Sequence, residues 1–283
     1  MIASIASRYD VFLIDMWGTI FDRGIGLYPK AAECLRQLVA LGRTVILTSN
    51  AARRAESELN RQLGDAAADV CHSRIITAGE VLRSMVRDDD GFKTRYGSRY
   101  YTLGHCRNRG LLDDLDLSEV EDIRNASFVV VAGLAHPDDA TSYRHPVFEG
   151  TRVQLAEALV CGIPLFVAKT DSLTALADGT AWVGPGPLVQ WYGDLGGAVH
   201  FVGKPAASFY GLCRRYFSAA ASRVLAIGDH RETDILGGAS CGFHTLLVRS
   251  GLEARLAGAG QPRKRPSQRA NIDPTYEAET LEW

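Results

Sequence analysis

Short apolar runs separated by longer amphipathic stretches fill the chain from Tyr9 to Val248. Runs of strand length bounded by turn residues, alternating with segments of 3.6-residue period, are the pattern of parallel strands joined by crossover helices. The pattern predicts strands at Tyr9–Ile14, Thr44–Leu47, Arg74–Ile76, Arg99–Leu103, Ser127–Ala132, Pro164–Ala168, Ala198–Val202, Arg223–Ile227 and His244–Val248. It predicts helices at Pro29–Leu41, where Ala32, Leu35, Leu38 and Val39 share a face, and at Arg53–Leu63, Val147–Val160 and Ser208–Phe217. The fold class this implies is α/β.

The alternation breaks near residues 86–98, where Arg87-Asp88-Asp89-Asp90-Gly91 and Arg95-Tyr96-Gly97-Ser98 make a polar, glycine-containing stretch. An inserted domain is expected to begin around there. Asp171–Gly197 is crowded with Gly179, Gly184, Pro185, Gly186, Pro187, Gly193, Gly196 and Gly197 and reads as the connection that returns from it. The expected division is a core from 1–80 and 183–265, an insertion at 81–182 and a tail at 266–283. Gln261–Arg269 carries Arg263, Lys264, Arg265 and Arg269 among Pro, Ser and Gln, the composition of a solvated linker. Pro274–Trp283 has two readings, an edge strand or a docked Trp283.

Charge narrows the partners. Across 283 residues, 31 Lys and Arg stand against 33 Asp and Glu, a net charge of −2, so no global field draws a nucleic acid or an anionic membrane. An anionic ligand must be held by a local site. Six scattered cysteines, with no C-x-x-C pair, suggest neither a zinc site nor a disulfide framework and fit a reducing compartment. Met1–Asp10 has no basic segment followed by a long apolar one, and apolar runs such as Val11–Ile14 are far too short to span a bilayer. A soluble cytoplasmic protein is expected.

Four features at predicted strand ends carry chemistry. Val11-Phe-Leu-Ile-Asp15-Met-Trp17-Gly18-Thr19 runs a buried strand into a carboxylate and a Gly-Thr turn, where open α/β sheets place their ligands; a turn cap is the competing reading. Thr48-Ser49-Asn50 ends the next strand in hydroxyl and amide groups that, with backbone N–H groups at a helix start, can cradle phosphate oxygens. Gly203-Lys204-Pro205 offers an ammonium ahead of a proline suited to a first helical turn. Gly228-Asp229-His230-Arg231-Glu232-Thr233-Asp234 supplies two carboxylates suited to a hard divalent cation. Each alone is commonplace, whereas the ordered set of carboxylate, hydroxyl, lysine and carboxylate pair is not.

The set resembles the haloacid dehalogenase (HAD) superfamily, whose motifs read D-x-D-G-T/V, S/T, K and G-D-x-x-x-T-D; here they stand as Asp15–Thr19, Thr48, Lys204 and Gly228–Asp234. The long stretch between Thr48 and Lys204 is similar to class IIA members, the nitrophenylphosphatase-like and sugar-phosphate phosphatase-like proteins. The resemblance implies a doubly wound, Rossmann-like core with an inserted α/β C2-type cap. It implies a Mg2+-dependent phosphatase of a small phosphorylated metabolite, with Asp15 as nucleophile and an aspartyl-phosphate intermediate. It also implies metal held by Asp15, the Trp17 carbonyl, Asp229 and Asp234, and phosphate held by Thr48, Ser49, Asn50 and Lys204. A homodimer is the expected assembly.

Trp17 departs from the pattern, because phosphatases of the superfamily place there a second Asp that acts as general acid and base. An indole has no titratable proton to give a leaving alcohol. Candidate stand-ins are Asp22, His230, His136 and His145, and Arg107, His136 and Lys169 are candidates to meet a further anionic group, with a solvated surface position as the competing reading of each. Two other functions follow from the same departure: a phosphometabolite-binding or regulatory protein with little turnover, or a 2-haloacid dehalogenase, whose leaving halide needs no proton.

Overall fold

The computed structural model describes residues 1–22, 26–57, 74–105, 108–134, 146–170, 173–175, 181–249, 251 and 272–283. Fifteen strands are found among them, of which eleven make two parallel sheets. The first sheet holds β1 (Val11–Asp15), β4 (Thr44–Ser49), β5 (Arg74–Thr77), β13 (Val224–Gly228), β14 (His244–Val248) and β15 (Tyr276–Ala278) in the order β15-β14-β13-β1-β4-β5. From β1 the chain first builds outward through β4 and β5, and later returns to build the other side through β13 and β14. The order therefore reverses beside β1, and a crevice is expected at the carboxyl ends there.

The second sheet holds β6 (Arg99–Leu103), β7 (Ser118–Glu119), β8 (Phe128–Val131), β9 (Leu165–Val167) and β12 (Val199–Phe201) in the order β12-β9-β8-β6-β7. The expected boundary at residue 183 would leave Val199–Phe201 to the first layer, yet β12 pairs in parallel with β9. Two short antiparallel pairs complete the strands, β2 (Phe21–Asp22) with β3 (Gly26–Leu27) and β10 (Leu173–Ala175) with β11 (Ala181–Val183).

Alternation along the strands assigns the two faces of the first sheet. Phe12, Ile14, Val45, Leu47, Leu225, Ile227, Leu246 and Val248 pack toward helix Pro29–Ala40 and the amino-terminal residues Ile2, Ile5 and Tyr9. That helix starts on Pro29, buries Ala31, Ala32, Leu35 and Leu38, and stops one residue short of the predicted end. Val11, Leu13, Ile46, Val224 and Ala226 face the other way, toward helices Ala78–Asp88 and Ala207–Arg214. This cluster continues through Phe92 into Tyr100, Phe128, Val130 and Phe166 of the second sheet, so the two sheets share one apolar core. The far face of the second sheet is covered by helices Pro146–Val160 and Gly186–Asp194.

Gly186–Asp194 lies inside the stretch expected to be irregular. Gly and Pro punctuate loops, but Pro near a helix start costs no hydrogen bond, and Leu188, Val189 and Tyr192 then present a buried face. Tyr192 locks the helix by donating its hydroxyl to the Ile163 carbonyl. The carboxyl-terminal segment takes the edge-strand reading: β15 pairs in parallel with β14, Leu281 is buried, and Lys30 pairs with Glu282 at 2.6 Å. Among the described residues, no helix is long and apolar enough to cross a membrane.

Candidate active site

Three neighbouring strands of the first sheet deliver the acidic and hydroxyl groups. Asp15 is the last residue of β1, Thr48 and Ser49 close β4, and Asp229 follows β13 directly. Asp15 and Thr48 are register partners. All four are buried, as are Lys204 and Asp234. The Lys204 ammonium joins the set, 2.5 Å from Asp15 Oδ1, 2.7 Å from Asp234 Oδ1 and 3.4 Å from Thr48 Oγ1. Residues 15, 48, 204 and the pair 229 and 234, four separate places along the chain, thus meet at one end of the sheet.

Local backbone holds each group in place. Beyond Asp15 the chain turns back at once: the Ile20 and Phe21 amides both donate to the Met16 carbonyl, and Gly18 has φ +83°. A Cβ at Gly18 or at Gly251, after β14, would run into the Asp229 carboxyl group, so both positions need glycine for close approach. Asp234 sits in a wide turn, Arg231–Ile235, in which the Ile235 amide reaches back to the His230 carbonyl; such π-type turns concentrate at functional sites. The His230 imidazole accepts from the Glu232 amide at 3.2 Å and so serves as that turn's cap.

Electrostatics follow from burial. Desolvation is the largest influence on Asp15 and pushes its carboxyl up to about 7, against the opposing pull of Lys204. Burial pulls the Lys204 ammonium down, but Asp15 and Asp234 together outweigh it and hold the amine above its ordinary value, charged. The Thr19 hydroxyl donates to the other Asp15 oxygen at 3.3 Å. Asp15, Asp229 and Asp234 each offer an oxygen within 4.8 Å of the others, and Lys204 is one ammonium among three buried carboxylates. An all-oxygen donor set with surplus negative charge fits a hard divalent cation.

A family profile described as haloacid dehalogenase-like hydrolase matches residues 12–118, and a second, HAD-hydrolase-like profile matches residues 201–281. The chain is 24% identical over 266 residues to chronophin of Bos taurus, covering 88% of this chain and 84% of that one. It is 24% identical over 271 residues to the chloroplastic phosphoglycolate phosphatase 1A of Arabidopsis thaliana, covering 86% and 69%. A crystal structure of a haloacid dehalogenase-like hydrolase from Brucella suis 1330 superposes with a TM-score of 0.79 at 25% identity, covering 99% of this chain and 98% of that one. The chain belongs to the haloacid dehalogenase-like hydrolases.

In this HAD-like hydrolase, Asp15, Thr48, Lys204, Asp229 and Asp234 are brought together at one end of the first sheet. Ser49 Oγ accepts from the Ala51 amide at 3.2 Å. Asn50 differs from expectation, since its side chain is engaged on both ends by the Lys204 backbone. No helix begins at Thr48–Asn50; the next one starts at residue 55. Helix Ala207–Arg214 likewise begins two residues after Pro205. Trp17 is half-buried, its ring 5.8 Å from that of Phe21, and its Nε1 is buried with no acceptor among the described residues. Asp22 is fully buried in the β2–β3 pair. Lys169 lies just beyond β9, and Arg107, His136 and His145 fall outside the described residues. The sequence names Thr19 within its motif without giving it a role and does not single out Gly251; the rule that ligands gather at carboxyl ends of parallel strands flags Gly251 behind β14.

Proposed function

We propose that the protein is a magnesium-dependent phosphatase of a small phosphorylated metabolite, working through an aspartyl-phosphate on Asp15. The observation that carries this reading is the buried Lys204 ammonium bridging Asp15 and Asp234, beside the Thr48 hydroxyl. An ionised carboxylate attacks phosphorus without an adjacent base. In the first step an Asp15 oxygen bonds to phosphorus as the bond to the leaving oxygen breaks. In the second, water attacks the acyl-phosphate, inorganic phosphate departs and the carboxylate is restored.

Lys204, Thr48, Ser49 and the backbone of Asn50 hold the phosphoryl oxygens, where positioning and charge stabilisation supply most of the catalysis of phosphoryl transfer. Asp15, the Trp17 carbonyl and Asp229, with Asp234 behind them, would hold Mg2+, whose charge lets an anionic nucleophile approach an anionic substrate. The inserted segment supplies the substrate's remaining contacts. The protein acts in the cytoplasm as a homodimer, with neither nucleic acid nor membrane as partner. Trp17 favours one competing reading, a phosphometabolite-binding protein with little turnover.

The deciding experiment measures phosphate release from an aryl phosphate and a panel of sugar, nucleotide and cofactor phosphates, with and without Mg2+. Mg2+-dependent release supports the phosphatase. Tight binding of a phosphorylated metabolite without release would decide for the binding protein. A pH prediction accompanies it. With the Asp15 carboxyl near 7, protons compete with the cation below that pH, so Mg2+ affinity should rise about tenfold per unit up to about pH 7 and level off above. Calorimetric Mg2+ titrations between about pH 5.5 and 8.5 read this; a flat profile would show that Asp15 is ionised throughout.

A further inference from the structure

The lysine of the site is carried by the second sheet and used by the first. Its backbone follows β12, where the Val202 amide still donates to the Val167 carbonyl of β9 at 2.9 Å. Its ammonium lies among carboxylates at the ends of β1 and β13. A four-carbon stem with several rotatable bonds reaches the same point from many backbone positions, so the stem alone does not fix the ammonium. Any shift of one sheet against the other would move the backbone away from the carboxylates.

The Asn50 side chain bridges that gap. The Lys204 amide donates to Asn50 Oδ1 at 2.7 Å, and Asn50 Nδ2 donates to the Lys204 carbonyl at 3.1 Å. One primary amide therefore satisfies both polar groups of one residue, which neither an alanine nor a carboxylate can do. Gly203 is part of the fit, because a Cβ there would collide with the Ala168 carbonyl and lie 2.9 Å from Asn50 Oδ1. The same loop also ties the outgoing connection: the Gly79 amide donates to the Ala51 carbonyl at 3.0 Å, and the Thr77 hydroxyl donates to the Arg53 carbonyl. Both crossings between the sheets are thus fastened to the residues that follow β4.

We infer that Asn50 is a positioning residue, whose amide pins the Lys204 backbone to the end of β4 so that the ammonium keeps its place among the Asp15, Thr48 and Asp234 side chains. The inference rests on the phosphatase reading for what Lys204 does, though not for the pinning itself. The test is a cycle of wild type, Asn50→Ala, Lys204→Ala and the double variant, with Asn50→Asp added, at saturating Mg2+. Three quantities are read: hydrogen exchange of the Lys204 amide by NMR, kcat and KM on an aryl phosphate, and calorimetric binding of inorganic phosphate.

Asn50→Ala should speed exchange of the Lys204 amide at least about tenfold and lower kcat about 10- to 100-fold, with a smaller change in KM, as expected for a group misplaced by about an ångström. Asn50→Asp keeps the acceptor but sets a carboxylate against the Lys204 carbonyl, so it should retain amide protection while turning over poorly. In the Lys204→Ala background the Asn50 change should add nothing. Full additivity, an unchanged kcat, or a lost kcat with unaltered Lys204 exchange would each overturn the inference. A wild type that releases no phosphate defeats the phosphatase reading instead, and the cycle is then judged on phosphate binding: non-additive losses support the pin, while additive losses or no binding overturn it.

Discussion

Asp15→Asn should abolish phosphate release, by about 10³-fold or more, while leaving a folded protein that melts no lower than wild type in the absence of Mg2+. The two halves have one cause. An amide cannot form an acyl-phosphate, so the covalent step is lost outright. The wild-type carboxyl, however, is held at about 7 by desolvation, well above the value of about 4 in an unfolded chain. A raised folded value in an acid means that stability is given up as pH climbs from about 4 to about 7, because the unfolded state ionises first. The neutral isostere escapes that loss, so its advantage should grow across this window and vanish below it. Lys204 keeps Asp234 as a partner in the variant and is not left as a lone buried charge. Phosphate assays and thermal melts at pH 5 and pH 8 read both parts. Retained turnover would assign the nucleophile elsewhere, and a much lower melting temperature at pH 8 would mean that the Asp15–Lys204 pair stabilises the fold on balance.

How much of this was legible in the sequence depends on how local the determinant is. Asp15, Thr48 and Asp229 each follow an apolar run, and a parallel sheet brings carboxyl ends of its strands together whatever lies between them in sequence. The site was therefore readable without knowing how the intervening chain folds. What was not readable depends on partners. Val199–Phe201 is a short, partly exposed strand, and nothing in three residues says which sheet it joins. That assignment decides that Lys204 arrives from the second sheet. Thr-Ser-Asn is a run of polar groups, which places the Asn50 side chain with its neighbours in a phosphate cradle; that its amide matches the backbone N–H and C=O of one residue 154 positions away is a tertiary fact. Gly186–Asp194 was hidden for a different reason, since the same Pro and Gly that break a helix in its middle are tolerated at its start.

Trp17→Asp should raise turnover of alkyl phosphates by about 10²- to 10⁴-fold, the usual worth of a positioned general acid, and change turnover of aryl phosphates far less. The asymmetry follows from what each leaving group needs. A phenolate departs as a stable anion, whereas an alkoxide must be protonated as its bond to phosphorus breaks. Trp17 offers one buried N–H with no acceptor among the described residues, an arrangement that costs about 1–3 kcal/mol of desolvation until something accepts the bond. That N–H can steady an oxygen carrying charge, but it cannot hand over a proton. Wild type should therefore show a steep dependence of kcat/KM on leaving-group acidity, and Trp17→Asp a shallow one, with little cost to Mg2+ binding because the position contributes a main-chain carbonyl that any residue has. Removing an indole half-buried against Phe21 also opens space, so the alanine variant serves as the control. If Trp17→Ala gains on alkyl phosphates as much as Trp17→Asp, room rather than acidity was limiting. If neither gains and wild type already handles alkyl and aryl phosphates alike, another residue supplies the proton, and the histidines of the inserted segment become the next to replace.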